Sequence, residues 1–289
     1  MSSTPETRTA PDAGSPLPEP QIGLGHFLPG GVLLAAGVKG VSETYRGLIE
    51  VDEARIVAYV KLLHPWEIFN EALGSVLCQL VGLPTPKPYL VLVEREDYPQ
   101  SPFLIASNAP RALAFASQAM PMQTLGRHVG LQTPNALREL VSHWKEWPDV
   151  LVFDQWIANP DRHSGNLLVG GPGEIFLIDH GFSFYRRNWT PEQIEAAVSI
   201  VTARLWTEIL QGVVTLPERI AATGRTQSAA VRYSKIDSEA AMVSTKVCQF
   251  LAPEQVQALA RVLQQRCTTA AGAICKVMGI PDLALGDNP

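Results

Sequence analysis

The sequence predicts an α+β protein of two lobes, β-rich toward the N-terminus and mainly helical toward the C-terminus. Three observations carry that reading. Short strand-like stretches crowd residues 32–117, parted by loops bearing Gly and Pro. From residue 134 on, apolar residues recur mostly at spacings of three and four. Within that second half, residues 150–185 break the pattern and read as helix, polar loop, strand, tight turn, strand and acidic loop.

Residues 1–21 are rich in Pro, Ser, Thr and Ala and lack apolar periodicity, so a disordered tail is expected. The β-rich lobe is expected over 22–117. Val32-Leu33-Leu34 and Tyr45 to Val51 are strand-like and flank a loop holding Gly37, Lys39, Gly40, Ser42 and Thr44. Small residues there let backbone N–H groups approach phosphates, although a plain hairpin loop has the same composition. The loop is not a Walker loop, since Gly40 is not followed by Lys-Ser/Thr and no helix comes next. Arg55 to Lys61 is a strand whose alternation sets Val57, Tyr59 and Lys61 on one face. Pro65 to Val81 is a helix, with Phe69, Ala72, Leu73, Val76, Leu77 and Leu80 as its apolar stripe. Pro65 suits its start and Gly82 its end. A Pro-rich connector, 83–88, leads to a strand at Tyr89 to Glu94, and Leu113 to Ser117 forms another. Gln118-Ala119-Met120-Pro121 then lies between the β-rich and the helical halves.

The second lobe is expected over 118–280. Pro134 to Trp147 reads as a helix, and Asp149 suits the cap of the next, Val150 to Ala158. Leu167-Leu168-Val169 and Ile175 to Ile178 are short strands, joined by a turn at Gly170 to Gly173. Pro191 to Leu210, Asp237 to Phe250 and Pro253 to Met278 read as helices, and 281–289 as a frayed tail. Arg204, Arg225 and Arg232 are candidate contacts for an acidic substrate, though a solvated face explains most such charges.

The hairpin carries the chemistry. Asn166 lies five residues after Asp161, and Asp179 thirteen after Asn166. Taken singly, each loop is explained as well by turn residues and a cap. Together and in this order they suggest phosphotransfer. That reaction needs a carboxylate near the attacking hydroxyl, and hard oxygen ligands for a cation that keeps several waters and bridges phosphates. The order is similar to that of protein kinases, and this resemblance implies Asp161 as the carboxylate and Asn166 and Asp179 as the magnesium ligands. His163, beside Arg162, is a candidate for the nucleotide site that acts by orienting the loop through hydrogen bonds.

The run N-P-D-R-H-S-G-N-L-L (Asn159 to Leu168), followed by I-D-H-G (Ile178 to Gly181), resembles the HipA-like kinases. It is similar to the wider set of atypical kinases, phosphatidylinositol kinases included, in which D-R-H-x-x-N replaces H-R-D. The resemblance spans residues 30–185 and finds no motif beyond 190. It implies a two-lobed protein-kinase-like fold, ATP and Mg²⁺ as cofactors, and phosphorylation of Ser, Thr or related hydroxyls. V-A-Y-V-K (Val57 to Lys61) resembles the kinase strand whose lysine orients the phosphates. Glu71 is its implied partner, because N-E-A-L resembles the HipA-like pattern. Glu67, one turn earlier, competes as an acid that merely favours the helix dipole. Gly37, Lys39, Gly40 and Ser42 become the implied phosphate loop. Gln118, Ala119 and Met120 become the hinge whose backbone meets adenine. The chain departs from ordinary kinases in having no H-R-D and no A-P-E segment.

Composition narrows the field. The chain has 289 residues, 46% hydrophobic and 18% charged, which suits a globular protein with a large core. A formal net charge of -5 gives no electrostatic footprint for nucleic acid, and no polybasic membrane segment is present. No apolar run approaches a membrane span, and the first residues are not those of a signal peptide, so a cytoplasmic protein is expected. Cys78, Cys248, Cys267 and Cys275 show no C-x-x-C spacing and are expected as reduced thiols. Three functions compete: a protein kinase with a protein substrate and an antitoxin or regulatory partner, a small-molecule or lipid kinase, and a nucleotide-binding pseudokinase. Retention of Lys61, Glu71, Asp161, Asn166 and Asp179 argues against the last.

Overall fold

The computed structural model describes residues 22–34, 42–128, 134–185 and 188–280. The two terminal tails, 1–21 and 281–289, and the loop residues Gly37, Lys39 and Gly40 lie outside the described residues. The protein is of the mixed α+β class.

Four strands come first: β1 (Gly23–Phe27), β2 (Val32–Leu33), β3 (Glu43–Val51) and β4 (Ala54–Leu62). Helix α1 (Pro65–Leu80), strand β5 (Pro88–Glu94), short helix α2 (Pro102–Ser107) and strand β6 (Arg111–Gln118) follow. The sheet order is β1-β5-β6-β4-β3-β2, and β1 also pairs with β3, so five strands close on themselves. Closure buries Ile49, Val60, Val91, Val93 and Ala116 with Phe27, Tyr45 and Tyr98 in one apolar cluster. The β3–β4 register is set by a two-residue turn in which Asp52 and Glu53 both take positive φ, 49° and 65°. Neither β1 nor α2 is evident in the sequence. In β1, Gly25 is required because a Cβ there would lie 2.2 Å from Glu50 O.

A second, small sheet joins β7 (Gln123–Thr124), β8 (Leu167–Val169) and β9 (Ile175–Leu177) in the order β7-β8-β9. The β8–β9 turn closes on Gly173, whose φ is 76°. Around it stand α3 (Pro134–His143), α4 (Trp147–Trp156), α5 (Pro191–Ala196), α6 (Leu216–Tyr233), α7 (Ser238–Ser244) and α8 (Pro253–Val277). They share a larger core with α1, built on Phe69, Leu73, Phe153, Trp156, Tyr233 and Leu263. Helix α1 therefore belongs to the helical core although the chain enters it from the sheet. Among the described residues, no helix is long and apolar enough to cross a membrane.

Several helix boundaries differ from the sequence expectation. The helix expected over 134–147 ends at His143, and a new one starts at Trp147 with Pro148 in its first turn. Asp149 is therefore inside the first turn and not the cap. Its buried carboxylate accepts from Arg225 Nε at 2.5 Å and Arg232 Nη2 at 2.9 Å. The helix expected over 191–210 splits into α5 and a wide turn at Trp206–Leu210. Buried Arg266 explains the break, because its guanidinium takes the carbonyls of Ala197, Val198 and Ile200 that a continuing helix would use. Helix α6 is unanticipated in the sequence reading. Thr215 and Glu218 start it with a box in which Glu218 Oε2 accepts from Thr215 N at 2.6 Å. Residues 237–250 form α7 and a separate single turn at Cys248–Phe250, parted by Lys246 with φ 62°.

Candidate active site

Strand β4 ends by turning Lys61 inward, where Nζ lies 2.5 Å from Glu71 Oε1 and 3.1 Å from Asp179 Oδ1. Glu71 sits mid-way along α1, fully buried, and its Oε2 accepts the backbone N–H of His180 at 2.8 Å. One carboxylate thus fixes both the lysine and the loop after β9. The neighbouring Asn70 secures the same loop, donating from Nδ2 to Gly181 O at 3.0 Å and Ser183 O at 3.1 Å. Glu67 turns elsewhere and accepts the His64 N–H at 3.3 Å, at the start of α1.

The 159–166 loop is built around Arg162, whose side chain is 1% exposed. Arg162 Nε and Nη2 meet the buried Asp154 carboxylate of α4 at 3.1–3.2 Å. Its Nη1 donates to Asn166 O at 3.1 Å and Ile178 O at 2.6 Å, and its Nη2 reaches His180 Nδ1 at 3.2 Å. A buried guanidinium offers five donors in a fixed fork, so this one residue can bind both polar loops together. His180 Nδ1 must then accept, which requires a neutral ring. Burial, reinforced by the Arg162 charge, holds the His180 pKa well below its ordinary value.

Asp161 lies at the surface end of this loop, its N–H bonded to Asn159 Oδ1 at 3.0 Å. Its Oδ1 accepts from Arg204 Nη1, and its Oδ2 lies 3.8 Å from His163 Nε2. His163 Nδ1 accepts the Gly165 N–H at 2.9 Å, which bends the loop locally. Asn166 donates from Nδ2 to Asp161 O at 2.8 Å, and this leaves its Oδ1 as a hard oxygen donor. Asp179 takes a left-handed backbone, φ 62°, a conformation that costs a non-Gly residue free energy and that the Lys61 and Arg162 contacts hold in place.

A cavity of about 660 Å³ gathers these groups. Lys61, Glu71, Asn166 and Asp179 line its polar end, and Tyr59, Phe115, Met120, Met122, Leu168 and Ile178 its apolar walls. Gln118 also lines it, but its N–H goes to Lys87 O at 3.0 Å, and the Ala119 N–H to Val57 O at 2.8 Å. The Met120 N–H has no hydrogen-bond partner among the described residues. Thr44 borders the cavity; Ser42, two residues before it, does not. A larger hollow of about 970 Å³ lies between α6 and α8, away from these groups and walled mostly by small apolar residues.

The charges are arranged for anion and cation work. Burial pulls the Lys61 pKa down, but Asp179 and Glu71 outweigh it, so the ammonium is held above its ordinary value. Lys61 in turn holds the Asp179 carboxyl below the usual range against the opposing effect of burial. Burial raises Glu71, opposed by Lys61 and the His180 N–H. No cluster of three or more His, Cys, Asp and Glu able to hold a metal occurs among the described residues. Asn166 Oδ1 and the Asp179 carboxylate are hard oxygen donors at the polar end of the cavity, of the kind that could join water and phosphate oxygens around magnesium.

The structure thus brings Lys61, Glu71, Asn166, Asp179, Gln118 and Met120 to one cavity, whose lining includes none of Ala119, Asp161 and His163. The sequence reading assigned no role to Arg162, His180 or Asn70. Arg162 and His180 lie inside the quoted motifs, so their presence was visible there; their burial was not. Asn70 carries no sequence signal beyond its place beside Glu71.

The family model described as HipA-like kinase matches residues 39–238. No curated protein matches the chain. Among solved structures, the Helicobacter pylori proinflammatory kinase CtkA is similar, with a TM-score of 0.52 at 13% identity, over 87% of this chain and 98% of that one. At that identity the likeness concerns the fold alone. With the family model covering more than half of its residues, the chain belongs to the HipA-like kinases, a family of kinase-type phosphotransferases.

Proposed function

We propose that this protein is an ATP- and Mg²⁺-dependent Ser/Thr protein kinase, with the nucleotide held in the cleft between a β-rich N-terminal lobe and a helical C-terminal lobe. The observation that carries the proposal is the Lys61–Glu71–Asp179 cluster, which shares one cavity with Asn166. Lys61 is charged and anchored, which suits it to orient phosphates. Asn166 and Asp179 would hold magnesium, which supplies charge neutralisation on the phosphates when bound. Asp161 positions the acceptor hydroxyl and receives its proton. The apolar walls accept a purine, with the Met120 N–H as the free hinge donor. The reaction is positional and electrostatic, since the transferred group passes through a loose transition state. We place the enzyme in the cytoplasm and expect a protein substrate, with an antitoxin or other regulatory protein as partner.

The test is transfer of labelled γ-phosphate from ATP with Mg²⁺, alone and with a cell extract. Asp161→Ala should abolish transfer and keep nucleotide binding, whereas Asp179→Ala should lose the magnesium dependence of that binding. A labelled protein band that depends on Asp161 supports the proposal. Label confined to a small-molecule or lipid fraction would replace it with a small-molecule or lipid kinase. Full turnover by either variant refutes the corresponding role.

A further inference from the structure

We infer that Arg204 is a latch over Asp161, and that it selects acceptors whose hydroxyl lies beside an anionic group. The inference deepens the proposed function and rests on Asp161 as the proton-accepting carboxylate. Both carboxylate oxygens of Asp161 already have a facing group: Arg204 Nη1 on Oδ1, and His163 Nε2 at 3.8 Å from Oδ2. An acceptor hydroxyl must reach one of these oxygens to give up its proton. The guanidinium on Oδ1 stands in that path.

The backbone behind Arg204 is fixed, so the side chain is the part able to yield. Thr202 Oγ1 donates to Asp154 O at 3.0 Å, and Thr202 N to Gln155 Oε1 at 2.7 Å. Arg266 holds Ile200 O at 3.1 Å, and Leu205 and Trp206 are buried. The Arg204 side chain, by contrast, is 39% exposed and has a second anchor, with Nε donating to Glu208 Oε1 at 2.6 Å. Glu208 offers it a resting partner away from Asp161.

What displaces a guanidinium from one carboxylate is a second anion that offers two oxygens to its planar fork. A carboxylate or phosphate next to the acceptor hydroxyl would draw Arg204 off Oδ1 and uncover it for the hydroxyl. In the transfer that follows, the bond from the β–γ bridging oxygen to the γ-phosphorus of ATP breaks. The acceptor oxygen–phosphorus bond forms, the acceptor proton passes to Asp161, and ADP leaves. The other exposed arginines considered for acidic substrates do not compete for this role, because Arg225 and Arg232 are both committed to Asp149.

The test compares a Ser peptide flanked by Glu with the same peptide flanked by Ala or by Lys, and with free serine as a small hydroxy acid. Wild type should favour the Glu-flanked peptide over the Ala-flanked one by about tenfold in kcat/KM, the worth of one charge-assisted hydrogen bond. Arg204→Gln should bring that ratio close to one, raising transfer to the Ala-flanked peptide while lowering it to the Glu-flanked one. Arg204→Lys should keep part of the preference. A merely structural loss would lower every acceptor in proportion and leave the ratio intact, which would overturn the inference. So would a wild type with no preference, or with no transfer to any of the four acceptors. Preference for free serine would keep the anion rule and move its source to a small molecule. Should Arg204→Gln melt early, Glu208→Gln serves instead: it frees Arg204 Nε and should lower KM for the Glu-flanked peptide alone, and an equal change for both peptides counts against the latch. Asp161→Asn separates the two readings. Transfer that persists in it removes the role of Asp161, whereas Asp161-dependent transfer with an unchanged ratio removes only the latch.

Discussion

Gly74 lies directly against His180: a Cβ built on Gly74 would stand 2.4 Å from the His180 Cβ and 2.6 Å from its Cγ. The helix that carries Glu71 and the loop that carries Asp179 are therefore in contact at a point with no room for a methyl group. His180 has no way to retreat. Its N–H is held by Glu71 Oε2, its Nδ1 by Arg162, and its Nε2 faces Cys78 Sγ at 3.9 Å.

Gly74→Ala is expected to push the 179–181 loop away from α1 and so break the Lys61–Asp179 contact. Overpacking a tight interior costs about 1–3 kcal/mol. The variant should fold with a lowered melting temperature and lose magnesium-dependent nucleotide binding. Calorimetry and nucleotide titration check this, and unchanged binding would show that the loop can shift without harm.

Arg162 and Asp154 form a buried ion pair on which both polar loops hang. Removing one partner of such a pair leaves a charge stranded in the interior, at a cost of about 3–5 kcal/mol. Arg162→Met is therefore expected to be severely destabilised, because it also abandons the carbonyls of Asn166 and Ile178. Arg162→Met with Asp154→Leu should recover part of the stability, but not the site, since nothing would bridge the loops. Urea unfolding of the single and double variants decides it: strict additivity would mean the two residues are not coupled.

What could be read from the sequence follows from where the information is local. Strands β3, β4 and β5, helix α1 and the β8–β9 hairpin stand close to where alternation, helical stripes and turn residues put them. Lys61 and Glu71 share one strand–helix unit, ten residues apart, but the choice of Glu71 over Glu67 rests on the resemblance of N-E-A-L to the HipA-like pattern. β1 escaped because GLGHF alternates too weakly and owes its place to pairing with β3 and β5. The break after α5 escaped because its cause, Arg266, lies nearly seventy residues away on α8. Arg204 was weighed as a surface charge, and only the fold brings it 43 residues back along the chain to Asp161. Composition likewise cannot tell which hinge N–H groups are already engaged in a sheet.

The buried thiols give the protein an alkaline limit. Burial pushes the Cys267 pKa up to about 12, and burial raises Cys78 also. A thiol whose folded value exceeds its unfolded one, about 8.5, binds its proton more tightly in the native state. Its contribution is whole below that pH and is lost as the pH rises toward the folded value. Melting temperature should therefore fall from about pH 8.5 upward. Cys267→Ala should flatten that slope. In the native state at pH 8, a thiol reagent should modify Cys248, which is partly exposed, while Cys78, Cys267 and Cys275 resist. Rapid modification of all four would contradict the burial.

The hinge provides a sharper test of how the base is held. Gln118 and Ala119 spend their N–H groups on Lys87 and Val57, so under the proposed function a purine edge entering along β6 would find the Met120 N–H as its donor. Met120→Pro deletes that donor, whereas the N–H groups bonded to Lys87 and Val57 belong to Gln118 and Ala119. One lost hydrogen bond is worth about 1 kcal/mol, or roughly fivefold in affinity. Met120→Pro should weaken ATP by about that factor, whereas Met120→Leu, which keeps the N–H and the apolar wall, should not. Tripolyphosphate, which has no base, should bind both variants equally through Lys61 and magnesium. If Met120→Pro weakened tripolyphosphate as much as ATP, the loss would come from a displaced cavity wall and not from the missing donor. If it weakened neither, the base would be held by its apolar walls alone.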